Sequence, residues 1–214
     1  MTKIVVLYYS LYGSTFELAR EVGEGASAAG AEVRLRRAPE TIPAAVWQAL
    51  PGVLDAKRAQ QGVPEATMAD LEWADGFCFG SPTRFGNMSG QMKNFLDQTG
   101  SLWMKGALDG RPVGFFTGAS TMHGGHESTI LTMSTFAFHF GMVIVPLGFV
   151  PRGPGTTTTG GGPYGPSHWS PMGGQPRCVD EDEKEMGREL GRRVTRVARS
   201  LTRDRTDTTR NPDS

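Results

Sequence analysis

Apolar and aromatic residues Ile4–Tyr9 empty directly into Ser10–Leu11–Tyr12–Gly13–Ser14–Thr15, and that loop runs into a helix-like pattern. Hydroxyls cluster here around one glycine, and the loop carries no cation. Gly13 lets the backbone turn closely. The N–H groups of Gly13, Ser14 and Thr15 would then open outward at a helix start, where the dipole is positive. Ser10, Ser14 and Thr15 add hydroxyl donors. A phosphate wants such donors. No Gly-Lys-Ser/Thr follows and no G-x-G-x-x-G occurs, so neither a nucleoside-triphosphate loop nor an ordinary dinucleotide fingerprint is present. A monophosphate held by neutral donors, as at the end of FMN, is what this chemistry suits.

Two further loops carry similar chemistry. Gly80–Gly90 reads GSPTRFGNMSG: Pro82 fixes the backbone, Gly86 permits close approach, and Thr83, Arg84 and Asn87 offer donors. Phe85 is placed to wall one side of a flat, hydrogen-bonding ring. Thr117–Glu127 reads TGASTMHGGHE, a glycine–hydroxyl–glycine loop that supplies backbone donors. Its His123 and His126 have no carboxylate or cysteine partner at ligand spacing, so no metal is expected. His139, within Phe136–Phe140, reads first as a helix histidine.

The elements that must position these loops alternate. Ile4–Tyr9, Glu32–Arg37, Gly76–Gly80, Val113–Thr117 and Met142–Leu147 read as strands, the second a half-exposed edge and the others buried on both faces. Phe16, Ala19, Val22 and Ala26 step at helical spacing, with Ser14 and Glu17 as a capping box. Gln91–Gln98, His126–His139 and Asp182–Leu201 are further helices. Strand–helix alternation predicts an α/β fold: a flavodoxin-like, doubly wound, five-stranded parallel sheet of order 2-1-3-4-5 with helices on both faces. All three loops follow strand ends, where such sheets bind ligands. One domain is expected over 1–201, with an irregular excursion at 39–64, a Gly/Pro/Thr-rich loop at 152–175 without regular structure, and a disordered tail at 202–214.

The totals exclude several classes. Among 214 residues, 22 Lys and Arg balance 22 Asp and Glu, which leaves no basic footprint for nucleic acid. Cys78 and Cys178 sit in unlike surroundings, so no disulfide framework is expected. The start MTKIVV lacks a secretory pattern, and the longest apolar run, Gly141–Val150, is about half a membrane span. These features predict a cytoplasmic protein with no membrane partner.

Taken together, YYSLYGST, GSPTRFGNMSGQMKNFLDQTGSLW, the STMHGGHE loop and FHFGMVIVPLG resemble the WrbA family of flavodoxin-like NAD(P)H:quinone oxidoreductases (type IV). The resemblance is strong over residues 1–150, and Pro163–Gly165 adds a late PYG. It implies FMN as cofactor and NADH or NADPH as co-substrate, with hydride transfer in a ping-pong cycle that turns a quinone into a quinol without a free semiquinone. Ser10, Leu11, Tyr12, Gly13, Ser14 and Thr15 would hold the phosphate, Tyr12 also lying near the nicotinamide nucleotide. Pro82, Thr83, Arg84, Phe85 and Gly86 would line the isoalloxazine ring. Thr117, Gly118, Ala119, Ser120, Thr121, Met122, His123, Gly124 and Gly125 would contact its other edge and the ribityl chain. His139 would reach the flavin from a neighbouring subunit as a proton or hydrogen-bond donor, and Trp103 would wall the quinone pocket. Family members are typically homotetramers; a dimer is the other state considered. His126 stands where glutamine is more usual, and Phe140 where many members have a second histidine.

A one-electron carrier of the same fold is the competing reading, with an FMN-containing interaction module as a third. Carriers surround their flavin with acids, which disfavour its reduced anion. Here the loops hold one acid, Glu127, against Arg84, His123 and His126, with His139 nearby. That balance favours a two-electron enzyme.

Overall fold

The computed structural model describes residues 1–149, 153–171 and 177–208, the last six without their side chains. Central β1 (Thr2–Tyr8) is parallel to β2 (Ala31–Arg37) on one side and β3 (Gly76–Pro82) on the other. β4 (Pro112–Ala119) and β5 (Val143–Ile144) complete the order β2-β1-β3-β4-β5. This is the expected flavodoxin-like sheet. Its strands alternate between two cores. Ile4, Val6, Tyr8, Cys78 and Phe116 pack under α1 (Ser14–Ala28) and α8 (Glu181–Thr208). Val5, Leu7, Tyr9, Phe77, Phe79 and Phe115 pack under α5 (Gly90–Asp97) and α7 (His126–His139). With both faces covered, the loops leave only at the sheet edges.

Several local expectations are corrected. The capping box at Ser14 does not form. Gly13, at φ 96°, precedes the helix and no side chain caps it; the left-handed turn makes Ser14 the first helical residue rather than the cap. The excursion at 39–64 is not wholly irregular: it holds α2 (Ala44–Trp47), which starts after Pro43, and α3 (Val53–Ala59), which starts after Gly52. Two further short helices lie outside the expected set. α4 (Met68–Trp73) has a true capping box between Thr67 and Asp70, and α6 (Gly100–Met104) precedes β4.

The fifth strand position is shared. β5 pairs with only Pro112 and Val113 of β4, and Val145 adds one bond to the Val113 carbonyl. The carboxyl half of β4 is taken by a strand not expected in the 152–175 loop, β6 (Ser167–Trp169), parallel to Thr117–Ala119. Between the two, Gly165 lies against the Phe115 carbonyl, where a Cβ would come within 2.0 Å. β6 is pinned by Glu183, fully buried at the start of α8, which accepts from the N–H groups of Gly160, Trp169 and Asp180 and pairs with His168 and Arg177. A strand thus forms in a Gly/Pro-rich stretch because an open edge and a buried carboxylate fix it. α8 continues through Thr208 into the segment expected to be a disordered tail; 209–214, and 152 and 172–175 of the loop, lie outside the described residues. Among the described residues no helix is long and apolar enough to cross a membrane.

α1 and α8 touch backbone to backbone. A Cβ on Gly191 would sit 2.0 Å from the Val22 carbonyl oxygen, so no larger residue fits without moving a helix. Gly191→Ala is expected to lower stability by about 1–3 kcal/mol, read as a shifted urea midpoint at unchanged slope; an unmoved midpoint would show the helices separating freely.

Candidate functional site

The carboxyl ends of β1, β3 and β4 open into one cavity of about 420 Å³, within the range of sites for small organic ligands. Its floor is Ser10–Thr15. The Ser10 hydroxyl accepts from the Gly13 N–H at 3.1 Å, so it shapes the loop instead of pointing away. Because α1 is uncapped, its first-turn N–H groups have neither an intrahelical carbonyl nor a side chain to bond, and they face the cavity. This donor set fits a phosphate monoester.

The excursion holds the loop from behind. Gln60, buried, donates to the carbonyls of Ser10 (3.3 Å) and Ala56 (2.8 Å). Glu40 ties the excursion down, accepting from the Tyr9 hydroxyl (3.1 Å), the Gln91 amide (3.3 Å) and the Ile42 N–H (3.0 Å), and pairing with Lys57. Burial alone would raise its pKa, but the Lys57 and Ile42 bonds hold it below the ordinary carboxylate value. Pro51 and Gly52 join the cavity wall. Sequence reasoning missed both; the Pro-Gly pair was the available signal.

Of the second loop, Pro82, Thr83 and Arg84 line the cavity, whereas Phe85 and Gly86 do not. Phe85 stands fully exposed at the turn tip with φ 53°, a conformation costly for a residue with a Cβ. From the third loop, Gly118, Ala119 and Ser120 line the cavity. Thr117 is buried instead and donates to the Ser81 carbonyl at 2.6 Å, tying β4 to β3. Thr121, Met122, His123, Gly124 and Gly125 do not line the cavity either. The Gly124 carbonyl accepts from the Thr83 hydroxyl at 3.3 Å, and the Thr83 hydroxyl oxygen accepts from the Gly86 N–H at 3.2 Å. The stretch therefore props the second loop. Trp103 and His139 sit together on the surface, the indole N–H donating to the His139 carbonyl at 2.9 Å; both side chains are outside the cavity. The C-terminal stretch contributes Ser170, Pro171, Arg177 and Cys178, and α1 contributes Glu17, none foreseen. Charged lining is thus Glu17 against Arg84 and Arg177.

Among the described residues no three His, Cys, Asp or Glu side chains gather as metal ligands would. His126 is buried: its Nε2 lies 3.2 Å from the Thr121 carbonyl and its Nδ1 has no partner.

A family model described as NADPH-dependent FMN reductase matches residues 2–156. A protein of Methylocella silvestris named NAD(P)H dehydrogenase (quinone) is 46% identical over 94% of this chain and 99% of its own. One of the same name from Geobacter metallireducens is 44% identical over 93% and 98%. Among solved structures, a flavodoxin, WrbA-like protein from Agrobacterium tumefaciens superposes with TM-score 0.64 at 25% identity, covering 94% of this chain and 99% of its own.

Burial holds the His126 imidazole below its ordinary pKa, against the opposing Thr121 carbonyl bond and the charge of Glu127. The unfolded chain titrates this group near about pH 6.5 and so takes up its proton first. The stabilisation is complete above that pH and is lost as pH falls toward the folded value. The carboxylates held low, Asp70 and Glu183 among them, lose theirs only below about pH 4.5. His126→Gln is therefore expected to flatten the stability profile between about pH 7 and 5, measured by denaturant titration; equal slopes in variant and parent would assign the loss elsewhere.

Proposed function

This chain belongs to the NADPH-dependent FMN reductase family, in its WrbA-type NAD(P)H dehydrogenase (quinone) branch, and on that premise we propose that it passes two electrons from NADH or NADPH to quinones through FMN bound at the carboxyl edge of the sheet. The observation that carries this is the uncapped start of α1 opening into the same cavity as Pro82–Arg84 and Gly118–Ser120. When bound, FMN supplies the group that takes up hydride and gives it on. The chain does the rest. Ser10–Thr15 hold the phosphate with backbone and hydroxyl donors. Pro82, Thr83 and Arg84 orient the ring, and Gly118–Ser120 border the ribityl chain. Tyr12, exposed within the loop, suits a nicotinamide nucleotide, and the strained, exposed Phe85 offers a flat apolar face to a quinone. No acid–base pair is required of the protein, since hydride transfer asks chiefly for alignment. With Arg84 and Arg177 against Glu17, the lining favours a negatively charged occupant, which supports the enzyme over the one-electron carrier.

The site as read needs a second copy of the chain. On α7, Leu131 and Phe138 are 49% and 67% exposed, and exposed Trp103 of α6 bonds the His139 carbonyl next to Phe138. Such a cluster belongs under a partner. A homotetramer, with a dimer as its minimal form, would bring the partner subunit's His139 toward the cavity as a proton or hydrogen-bond donor to the quinone oxygen. The cytoplasm, which supplies NAD(P)H, is the place this activity suits.

Calorimetry of FMN-free protein with FMN, followed by nucleotide consumption with and without benzoquinone, tests the reading. Binding is expected, with NADH or NADPH consumed only when quinone is present and one quinol formed per nucleotide; no binding, or no quinone-dependent turnover, would defeat it. Sedimentation should give a multiple of the monomer mass, lowered by Phe138→Glu. A monomeric parent would remove the assembly and His139's part with it.

A further inference from the structure

The floor of the cavity lacks a cation, but the structure brings one to it from the far end of the chain. Arg177 lines the cavity that Ser10–Thr15 floor. It stands at the phosphate end. The point where a side chain on Gly118 would begin is 3.7 Å from Thr15 Oγ1 and 3.9 Å from His168 Cβ, and Arg177 Nη2 lies 3.4 Å from His168 Nδ1. Thr15, Gly118, His168 and Arg177 thus follow one another in space. We propose that Arg177 is the phosphate-binding cation of this site, directing its guanidinium at the monoester of FMN; this rests on reading the cavity as an FMN site.

The guanidinium is held rigid from behind. Nε donates to the Trp169 carbonyl at 2.8 Å, Nη1 to Asp180 at 2.8 Å, and Nη2 pairs with Glu183. Since an ionised Glu183 only accepts, His168 Nδ1 must donate to it at 2.8 Å and takes no proton from Arg177. Three of the roughly five guanidinium N–H donors are then occupied, and the rest remain for a ligand. The two carboxylates do not cancel this charge. Glu183 accepts from the N–H groups of Gly160, Trp169 and Asp180 as well as from His168. Asp180 accepts from the Glu183 N–H and the Thr159 hydroxyl. Both lie at the start of α8, whose dipole also favours negative charge. An arginine fixed in this way loses little freedom on meeting a ligand. Arg84, the other cation of the lining, belongs to the Pro82–Arg84 loop at the ring end.

Affinities of the FMN-free protein for FMN and for riboflavin, which lacks the phosphate, isolate the contact. In Arg177→Gln the preference for FMN over riboflavin is expected to fall by about tenfold or more, as the loss of one charge-assisted hydrogen bond requires, with riboflavin affinity held. On the unmodified protein the same preference should decline as potassium chloride is raised. Equal weakening of both ligands would mean a structural role, and an unchanged preference no role; either overturns the proposal, as does a salt-independent preference if Arg177→Gln does not fold. A raised KM for NADH or NADPH with the flavin preference intact would assign the arginine to the nucleotide instead and overturn it too. If the unmodified protein binds no FMN, the cavity reading itself fails, which is a separate outcome.

Discussion

The open N–H groups at the start of α1 constrain everything built around them. β1 is buried on both faces, so its chain can leave only at the carboxyl edge, and Gly13 turns it into a helix without a cap. Those donors need an acceptor, and no side chain provides one. A Ser or Asp cap at that point would quench them and remove the reason for a cavity. The loop's own hydroxyl at Ser10 is spent on shaping the turn.

Two carboxylates, Glu40 half-buried and Glu183 fully buried, hold the parts that close round those donors. Glu40 fastens the excursion whose Gln60 sits beneath Ser10. Glu183 fastens β6 and, through Arg177, the wall that follows it. Each draws donors from segments distant in sequence, and each carries a pKa held low by those bonds despite its burial. The stretches least regular in sequence are thus tied by the most highly bonded side chains, which is how poorly propensive segments acquire a fixed shape.

What was legible in the sequence is what local pattern dictates. β1, β3 and β4 announce themselves because strands covered on both faces are continuously apolar, and the loops after them fall at the predicted edge. β5 was overread: Met142–Leu147 is apolar, but only Val143 and Ile144 pair. β6 was hidden, because Ser167–Trp169 becomes a strand through the vacant half of β4 and a glutamate in α8, both remote. The same remoteness hid Arg177 and Cys178. Thr117 falls in the expected loop, but its hydroxyl turns inward to the Ser81 carbonyl, a bond that no local pattern announces. The charge argument survives on altered residues: Glu127 lies outside the cavity, Glu17 lines it, and Arg177 joins Arg84.

The shared fifth strand position has a consequence for behaviour in concentrated solution. β4 would otherwise offer a neighbouring molecule a long row of free amides and carbonyls, a template for intermolecular strand addition. Two short segments cover its ends, and Gly165, having no side chain, nestles against the Phe115 carbonyl in the gap between them. A bulkier residue there would lift the cover and expose bare backbone. The position is in effect a guard against fibrillar stacking, set by a hydrogen atom where any other residue has a carbon.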